Sequence, residues 1–164
     1  MFREMIRKKQ QLSYNQNIEV LDKCSSGVLA VIGDDDYPYA VPLSYVYYDN
    51  KIFFHASKIG HKLDSIKNNN KVSFCVIEKD DVKPKEYTTY YRSVIVFGRA
   101  FISEDEKEKR DAIEKLALKY YPNDIKSNRD NIINREYNAL CIIKLNIEFM
   151  TGKEAIELVN NEEE

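Results

Sequence analysis

A short polar segment, residues 55–62, has the residue types of an anion-binding site. It contains a hydroxyl at Ser57, cations at Lys58 and Lys62, and a flexible glycine at Gly60. A helix is predicted to begin within it, and the first N–H groups of a helix lack partners inside the helix and attract anions. The segment therefore predicts a site that holds a phosphate group.

The strand predicted before this segment is the second candidate binding element. It spans residues 39–48, and Pro42 interrupts its alternation of apolar and polar side chains. Proline cannot donate a hydrogen bond to a sheet ladder, so the backbone near Pro42 should be open to a ligand. The turn Asp49-Asn50 is typical of a hairpin and leads into a second strand that ends at the polar segment.

Six strands and four helices are predicted to position these groups, from apolar alternation for the strands and helical spacing for the helices. The charged stretch 78–86, which contains Pro84, is predicted to be a loop. A mainly β (α+β) fold follows, an antiparallel barrel that is closed or nearly closed and has flanking helices. The predicted strands are 28–32, 39–48, 51–55, 71–77, 91–102 and 139–147, and the helices are 15–24, 62–68, 105–120 and 129–137.

The composition predicts a single domain, 1–164. With 43% hydrophobic residues, a chain of 164 residues can bury a core of its own, and no internal repeat is visible. The two ends, 1–11 and 153–164, are expected to be flexible. Three widely separated cysteines are typical of reduced thiols in a cytoplasmic protein rather than of a disulfide framework.

Charge and motif content disfavour several function classes. A net charge of -2 argues against nucleic acid as the main partner, and no apolar run is long enough to span a membrane. The five glycines form neither a GxGxxG fingerprint nor a P-loop. No metal site is expected, because the cysteines lack zinc spacing and the turn 34–36 is three consecutive aspartates without alternating ligand geometry. A small molecule remains the expected ligand.

Four blocks of sequence resemble a known family. They are residues 37–47 (YPYAVPLSYVY), 54–57 (FHAS), 60–64 (GHKLD) and 88–100 (TTYYRSVIVFGRA). Their order and spacing are similar to those of the pyridoxamine 5'-phosphate oxidase-like split barrels, in particular the branch of 5-nitroimidazole-resistance proteins. The resemblance covers nearly the whole chain, from the first predicted helix to residue 153.

The resemblance implies a six-stranded split barrel that binds FMN as a homodimer, with two equivalent sites in clefts between the barrels. The positions expected to contact FMN are Val41, Pro42, Leu43 and Ser44 along the flavin ring, His55 and Ala56 beside the ribityl chain, Ser57 and Lys62 at the phosphate, and Tyr91, Arg92 and Ser93 from the facing subunit. His61, in the GHK block, is implied to take part in substrate chemistry.

Each singled-out residue also has a plainer interpretation. His55 is equally consistent with a hydrogen-bonded structural histidine, and His61 with a residue that caps the helix start. The plainer interpretation of Lys62 is an ordinary solvated lysine. Arg92 lies on a predicted apolar face, so its burial requires a partner. The sequence interpretation prefers a flavin phosphate as this partner, and an intrachain carboxylate is the plainer alternative.

The function implied by the resemblance is an FMN-dependent oxidoreductase, nitroreductase-like, that acts on nitroimidazole or nitroaromatic small molecules. The sequence contains no HExxH motif and no serine, histidine and aspartate arranged as in a catalytic triad. The flavin would therefore supply the chemistry, and the protein would position the reactants. Two alternatives stay open: a flavin-binding or sensing protein without turnover, and a barrel that binds haem or a deazaflavin instead. A nucleic-acid module that stacks bases on Tyr90 and Tyr91 conflicts with the acidic charge balance.

Overall fold

The computed structural model describes residues 2–162, in which seven β-strands and five α-helices form a mainly β fold. The strands are β1 (Ser26–Ile32), β2 (Pro38–Ser44), β3 (Val46–Tyr48), β4 (Lys51–Ser57), β5 (Lys71–Lys83), β6 (Thr88–Ile102) and β7 (Leu140–Glu154). The helices are α1 (Tyr14–Lys23), α2 (His61–Asn68), α3 (Glu106–Tyr120), α4 (Lys126–Glu136) and α5 (Ile156–Glu162).

All seven strands belong to one antiparallel sheet in the order β2-β1-β5-β6-β7-β4-β3. The sheet curls so that β2 contacts β4, although the two strands are not neighbours in the sheet order. The expectation of a mainly β fold with flanking helices is confirmed, while the expected strand count of six is wrong. The sheet is open rather than closed, because β2 and β4 approach each other without pairing as strands, and this unpaired junction is the gap in the sheet.

The additional strand arises because the predicted strand 39–48 divides at Tyr45. The Tyr45 side chain is fully buried, and its backbone N–H donates to the Tyr120 hydroxyl at 2.9 Å. The backbone of Tyr45 therefore bonds to a side chain instead of a neighbouring strand. As a result β2 pairs with β1, and β3 pairs with β4 across the hairpin turn 49–50.

The charged stretch predicted as a loop is mostly strand. β5 continues to Lys83 and pairs with β6, after an irregularity in register between Ile77 and Lys79. The charged residues break the alternation of apolar and polar side chains, and this break suggested a loop. A bulge lets the ladder continue past such a break. Only the short 3-10 turn Pro84–Glu86 separates the two strands.

The ends of the described chain pack on the sheet. β7 extends to Glu154 and is followed by α5, so residue 153 lies within the ladder rather than in a tail. Near the other end, the buried Gln10 side chain donates to the Glu154 carbonyl oxygen at 3.0 Å. Residues 1, 163 and 164 of the ends predicted to be flexible lie outside the described residues, and flexibility itself stays a prediction.

Two apolar clusters hold the fold together. The larger lies inside the curled sheet and includes Phe54 and Phe74, which meet edge to face with ring centroids 5.0 Å apart. The smaller lies under α3 and α4, where Ile113 and Leu116 pack with Ile142 of β7. Asp105 caps α3 by accepting hydrogen bonds from the backbone N–H groups of residues 107 and 108. This cap and the apolar stripe fix α3 beside the end of β4.

Candidate functional site

The anion-binding segment predicted from the sequence forms the end of β4 and the start of α2. Gly60 precedes the helix with φ of 138°, a backbone conformation that favours glycine. Among residues 2–162, no side chain caps this helix start. Ser57 and Lys58 are exposed beside it, and Lys62 is half-buried in its first turn. A hydroxyl, two cations and uncapped N–H groups thus occur together, as an anion site requires.

A third lysine that the sequence interpretation missed lies near this segment. Cys141 pairs with Ala56 across β7 and β4, and its Sγ is 3.4 Å from the carbonyl oxygen of Ser57. Burial raises the pKa of the Cys141 thiol, and the positive charges of Lys109, Lys62 and Lys58 act in the opposite direction. Lys109, Lys62 and Lys58 therefore all lie near the Cys141 thiol, at the end of β4.

Lys109 belongs to α3 and is 7% exposed. Its Nζ lies 4.0 Å from the centroid of the Tyr137 ring, a cation–π contact. One sequence signal could have found it, since Lys109 precedes the apolar positions Ala112, Ile113 and Leu116 by three, four and seven residues. That spacing puts it on the helix face that packs against the strands.

An apolar cavity of about 360 Å³ adjoins the gap in the sheet. Ser44 of β2 and His55 of β4 line it on the strand side, and Tyr120 lines it from α3. Its remaining walls are mainly aliphatic side chains of α3 and α4 together with Leu140. The cavity thus joins two of the predicted site residues, Ser44 and His55, to a space that suits an apolar or aromatic group.

The strand that carries Pro42 lies at the edge of the sheet. Its pairing partner is β1, where Pro42 lies opposite Val28, so the other edge of β2 has no neighbour in the sheet order. Val41 and Leu43 pack their side chains against the main core, whereas Pro42 and Ser44 are exposed. Proline is tolerated at such an edge because no ladder bond is lost there. The position of Pro42 agrees with the predicted opening in the backbone.

The comparison with known sequences identifies the family. The sequence model of the pyridoxamine 5'-phosphate oxidase family matches residues 15–154. The chain belongs to the pyridoxamine 5'-phosphate oxidase family. A search of curated proteins finds no significant match. The resemblance noted in the sequence blocks is therefore confirmed at the level of the family.

Several solved structures have the same fold as this member of the pyridoxamine 5'-phosphate oxidase family. A proposed 5-nitroimidazole antibiotic resistance protein from Bacteroides thetaiotaomicron has 18% identity and a TM-score of 0.75, over 88% of this chain and 86% of that one. An FAD-binding protein from Mesorhizobium loti has 24% identity and a TM-score of 0.62, over 89% and 97%. An FAD and haem binding protein from Mycobacterium smegmatis has 20% identity and a TM-score of 0.74, over 90% and 73%.

His61, the predicted catalytic residue of this family member, lies at the start of α2 but faces the turn between β1 and β2. Its ring stacks on Tyr39, and its Nε2 is 3.7 Å from a carboxylate oxygen of Asp34. The side chain remains 42% exposed. His61 is therefore held by its own neighbours, on the side of α2 where the acidic turn lies, and it does not line the cavity that contains His55.

Tyr91, Arg92 and Ser93 lie at the opposite end of the long β6–β7 ladder from Ser57. Arg92 is opposite Glu154 at the end of β7, whereas Ser57 is opposite Leu140 at its beginning. The Arg92 Nε donates to the buried Glu154 carboxylate at 2.8 Å, so an intrachain carboxylate is its partner in the protomer. The preferred flavin-phosphate interpretation of Arg92 gains no support from this pairing. Within one protomer, the structure does not bring these three residues to the phosphate segment.

Neither a metal-binding cluster nor a membrane-spanning helix is found among the described residues. No group of three His, Cys, Asp or Glu side chains among those described, residues 2–159, could hold a metal ion. Over the same residues, no helix is long and apolar enough to cross a membrane.

Proposed function

We propose that this chain is an FMN-binding flavoprotein oxidoreductase that reduces nitroimidazole or related nitroaromatic small molecules. The observation that carries the proposal is the junction of β4 and α2, where Ser57, Lys58, Lys62 and the uncapped start of α2 offer the donors that a phosphate needs. The family membership supports it, and so does the FAD-binding neighbour from Mesorhizobium loti, which supports a flavin in general.

The residues present fit a phosphorylated flavin. Ser57 and Lys62 would hold the phosphate, and the open edge of β2, residues 41–44, would offer main-chain groups to the flavin ring. His55 and Ala56, on the strand between these two elements, would border the ribityl chain. Bound FMN would supply two-electron transfer, a chemistry that amino-acid side chains do not provide.

The cavity next to the gap supports an aromatic acceptor. It adjoins Ser44 and His55, and most of its walls are aliphatic. A flat aromatic ring suits such a space, and Ser44 and His55 in its wall offer polar groups to the nitro group of the acceptor. The protein's own part in the reaction would be to hold the acceptor in this dry space and to keep solvent away from it.

A homodimer is part of the proposal. Val28 of β1, Ile77 of β5 and Ile95 of β6 expose 39%, 61% and 37% of their surface on the sheet face opposite the main core. The register places Val28, Cys75 and Ile95 directly side by side, so this apolar surface is continuous across three strands. Continuous apolar surfaces of this kind are typical of protein interfaces. Pairing through this face would supply Tyr91 and Ser93 from a second subunit.

The test is the identity and stoichiometry of the bound flavin. The purified protein is expected to be yellow, and heat-released cofactor should run as FMN in chromatography with one molecule per chain. Apoprotein should bind FMN more tightly than riboflavin, since only FMN carries the phosphate. A colourless protein that binds neither flavin would contradict the proposal, and a Soret band in the absorption spectrum would indicate haem instead.

One observation favours the second candidate, a flavin-binding protein without turnover. His61, the residue expected to serve substrate chemistry, is stacked on Tyr39 and lies outside the cavity lining. The two candidates differ in one measurement. Dithionite-reduced protein mixed anaerobically with a nitroimidazole should regain its oxidised absorbance if the protein is a nitroreductase, and should stay reduced if it only binds flavin.

A further inference from the structure

We infer that Tyr120, the last residue of α3, makes the apolar cavity select flat aromatic ligands over aliphatic ones. This inference rests on the proposed function, because it names what the acceptor site of that function recognises. It goes further by assigning the preference to a single ring, which belongs to a residue outside the sequence blocks that resemble the family.

The first argument is the composition of the cavity wall. Among the described residues that line it, Tyr120 supplies the only phenol ring, and the others are Ser44, His55, Glu136 and aliphatic residues. Tyr120 is 43% exposed, so protein atoms do not cover the whole ring. Aromatic rings pair with one another more favourably than their buried area alone accounts for. The ring therefore offers a flat ligand a contact that an aliphatic ligand cannot match.

The second argument is that the backbone engages the Tyr120 hydroxyl. This hydroxyl accepts a hydrogen bond from the Tyr45 N–H at 2.9 Å. The carbonyl oxygens of Ser25 and of Tyr45, the latter at 3.1 Å, both lie within hydrogen-bond distance of it. A phenol has a single proton to donate, and here the proton goes to a backbone carbonyl. Tyr120 therefore offers a ligand in the cavity its ring rather than a hydrogen-bond donor.

The third argument is that two consecutive residues fix the end of α3 on Tyr45. The Lys119 Nζ lies 3.9 Å from the centroid of the Tyr45 ring and donates to the carbonyl oxygen of Leu21 at 3.2 Å. The Tyr45 hydroxyl donates to the same carbonyl oxygen at 2.7 Å, and its side chain is fully buried. Tyr120 is thus attached to a residue that the core holds in place. A ring that is already fixed loses little conformational freedom when a ligand packs on it.

The same attachment relates the ring to the strand proposed to contact the flavin. Tyr45 directly follows Ser44, the last residue of β2, and Ser44 lines the same cavity as Tyr120. In the proposed function, residues 41–44 offer main-chain groups to the flavin ring. A ligand that packs on Tyr120 would therefore occupy the space beside the end of this strand, where an acceptor has to lie.

The experiment compares nitrobenzene with nitrocyclohexane, which share the nitro group and the number of carbon atoms but differ in flatness. Ligand-observed NMR measures the dissociation constant of each for the purified full chain, without reductant, so that no turnover contributes. The wild type should bind nitrobenzene more tightly than nitrocyclohexane. Tyr120→Leu keeps an apolar side chain and removes the ring, so it should shift the ratio of the two constants toward nitrocyclohexane by about two- to tenfold.

Two further variants are matched controls. Tyr120→Phe keeps the ring and removes the hydroxyl, so it should keep the wild-type ratio, since Lys119 still holds the end of the helix. Its melting temperature should fall, because the Tyr45 N–H loses its partner. Tyr121→Leu removes an exposed ring that does not line the cavity, and it should also keep the ratio. Should Tyr120→Leu not fold, Tyr120→Met serves in the same titration with the same expectation.

Three results would overturn the inference. A wild type that does not favour nitrobenzene has no aromatic selectivity to explain. If Tyr120→Leu weakens both ligands but keeps the ratio, Tyr120 only anchors the helix. If Tyr120→Phe loses the preference as fully as Tyr120→Leu, the hydroxyl rather than the ring carries it.

The inference fails separately from the proposed function, because the absorption spectrum reports the flavin and the titration reports the cavity. A yellow, FMN-containing protein whose ratio does not change in Tyr120→Leu would overturn the role of the ring and leave the flavoprotein proposal intact. A protein that binds no flavin, and whose ratio shifts in Tyr120→Leu, would contradict the proposed function and leave the role of the ring in place.

Discussion

The imidazole of His61 stacks on the ring of Tyr39, with centroids 4.3 Å apart and planes 16° apart. This contact joins the start of α2 to the start of β2, close to the turn at Asp34. The two histidines of the chain therefore lie in different environments. His55 is exposed on β4 in the wall of the apolar cavity, and His61 supports the helix whose first turn carries Lys62.

A substitution at His61 tests whether it also serves the acceptor. We expect His61→Ala to keep near-normal FMN affinity, since no phosphate contact is removed, and to leave the reoxidation of the reduced holoprotein by a nitroimidazole at the wild-type rate, since His61 does not line the apolar cavity. A role of His61 as proton donor to the acceptor would instead slow reoxidation on the order of tenfold or more in His61→Ala. Stopped-flow absorbance after dithionite reduction isolates this half-reaction from the unknown electron donor.

Tyr39→Leu is the control for this experiment, because it removes the stacking partner and keeps the imidazole. If both variants slow reoxidation equally, His61 acts only by holding α2 in place. Equal rates in His61→Ala and the wild type would reduce it to a helix-start residue.

Lys62 should control cofactor affinity. Loss of a charge-assisted hydrogen bond to a phosphate costs on the order of 1.5–3 kcal/mol, so Lys62→Ala should raise the dissociation constant of FMN at least tenfold and purify paler. Lys67→Ala is the control, since Lys67 lies at the exposed end of the same helix near Asp64. Unchanged FMN affinity in a folded Lys62→Ala protein would show that the phosphate site lies elsewhere.

The elements of this fold differ in how well the sequence predicts them. The boundaries of α1, α2 and α3 were predicted within one residue, because each helix has clear apolar spacing and a defined end. The division of the strand at Tyr45 was not predictable, since the Tyr45 N–H donates its hydrogen bond to a residue 75 positions away. The burial of Lys109 was not predicted either, although its spacing from Ala112, Ile113 and Leu116 puts it on the packed face of α3.

The exposed apolar face should be the dimer interface. Ile95→Glu places a charge in the apolar row formed with Val28 and Cys75, and a buried unpaired charge should prevent association. We expect light scattering to give the dimer mass for the wild type and the monomer mass for this variant. Ile125→Glu, at an exposed isoleucine before α4, should remain a dimer. A wild type that is monomeric at micromolar concentration with FMN bound would exclude the shared site.

Glu108 should stabilise the fold in a pH-dependent way. Burial acts to raise the pKa of this carboxyl group, but the hydrogen bond from Ser103 and the Lys144 ammonium group at 2.9 Å bring it below its usual value. A carboxyl pKa that is lower in the folded state means that the unfolded state binds more protons. The stabilisation is therefore complete above a pH of about 4.5 and is lost as the pH falls through the folded-state value.

Glu108→Gln should accordingly lower the free energy of unfolding by about 1 kcal/mol at pH 7, and the difference from the wild type should shrink at pH 3. Urea unfolding of both proteins at the two pH values measures this. Glu104→Gln, at an exposed position before α3, should match the wild type throughout.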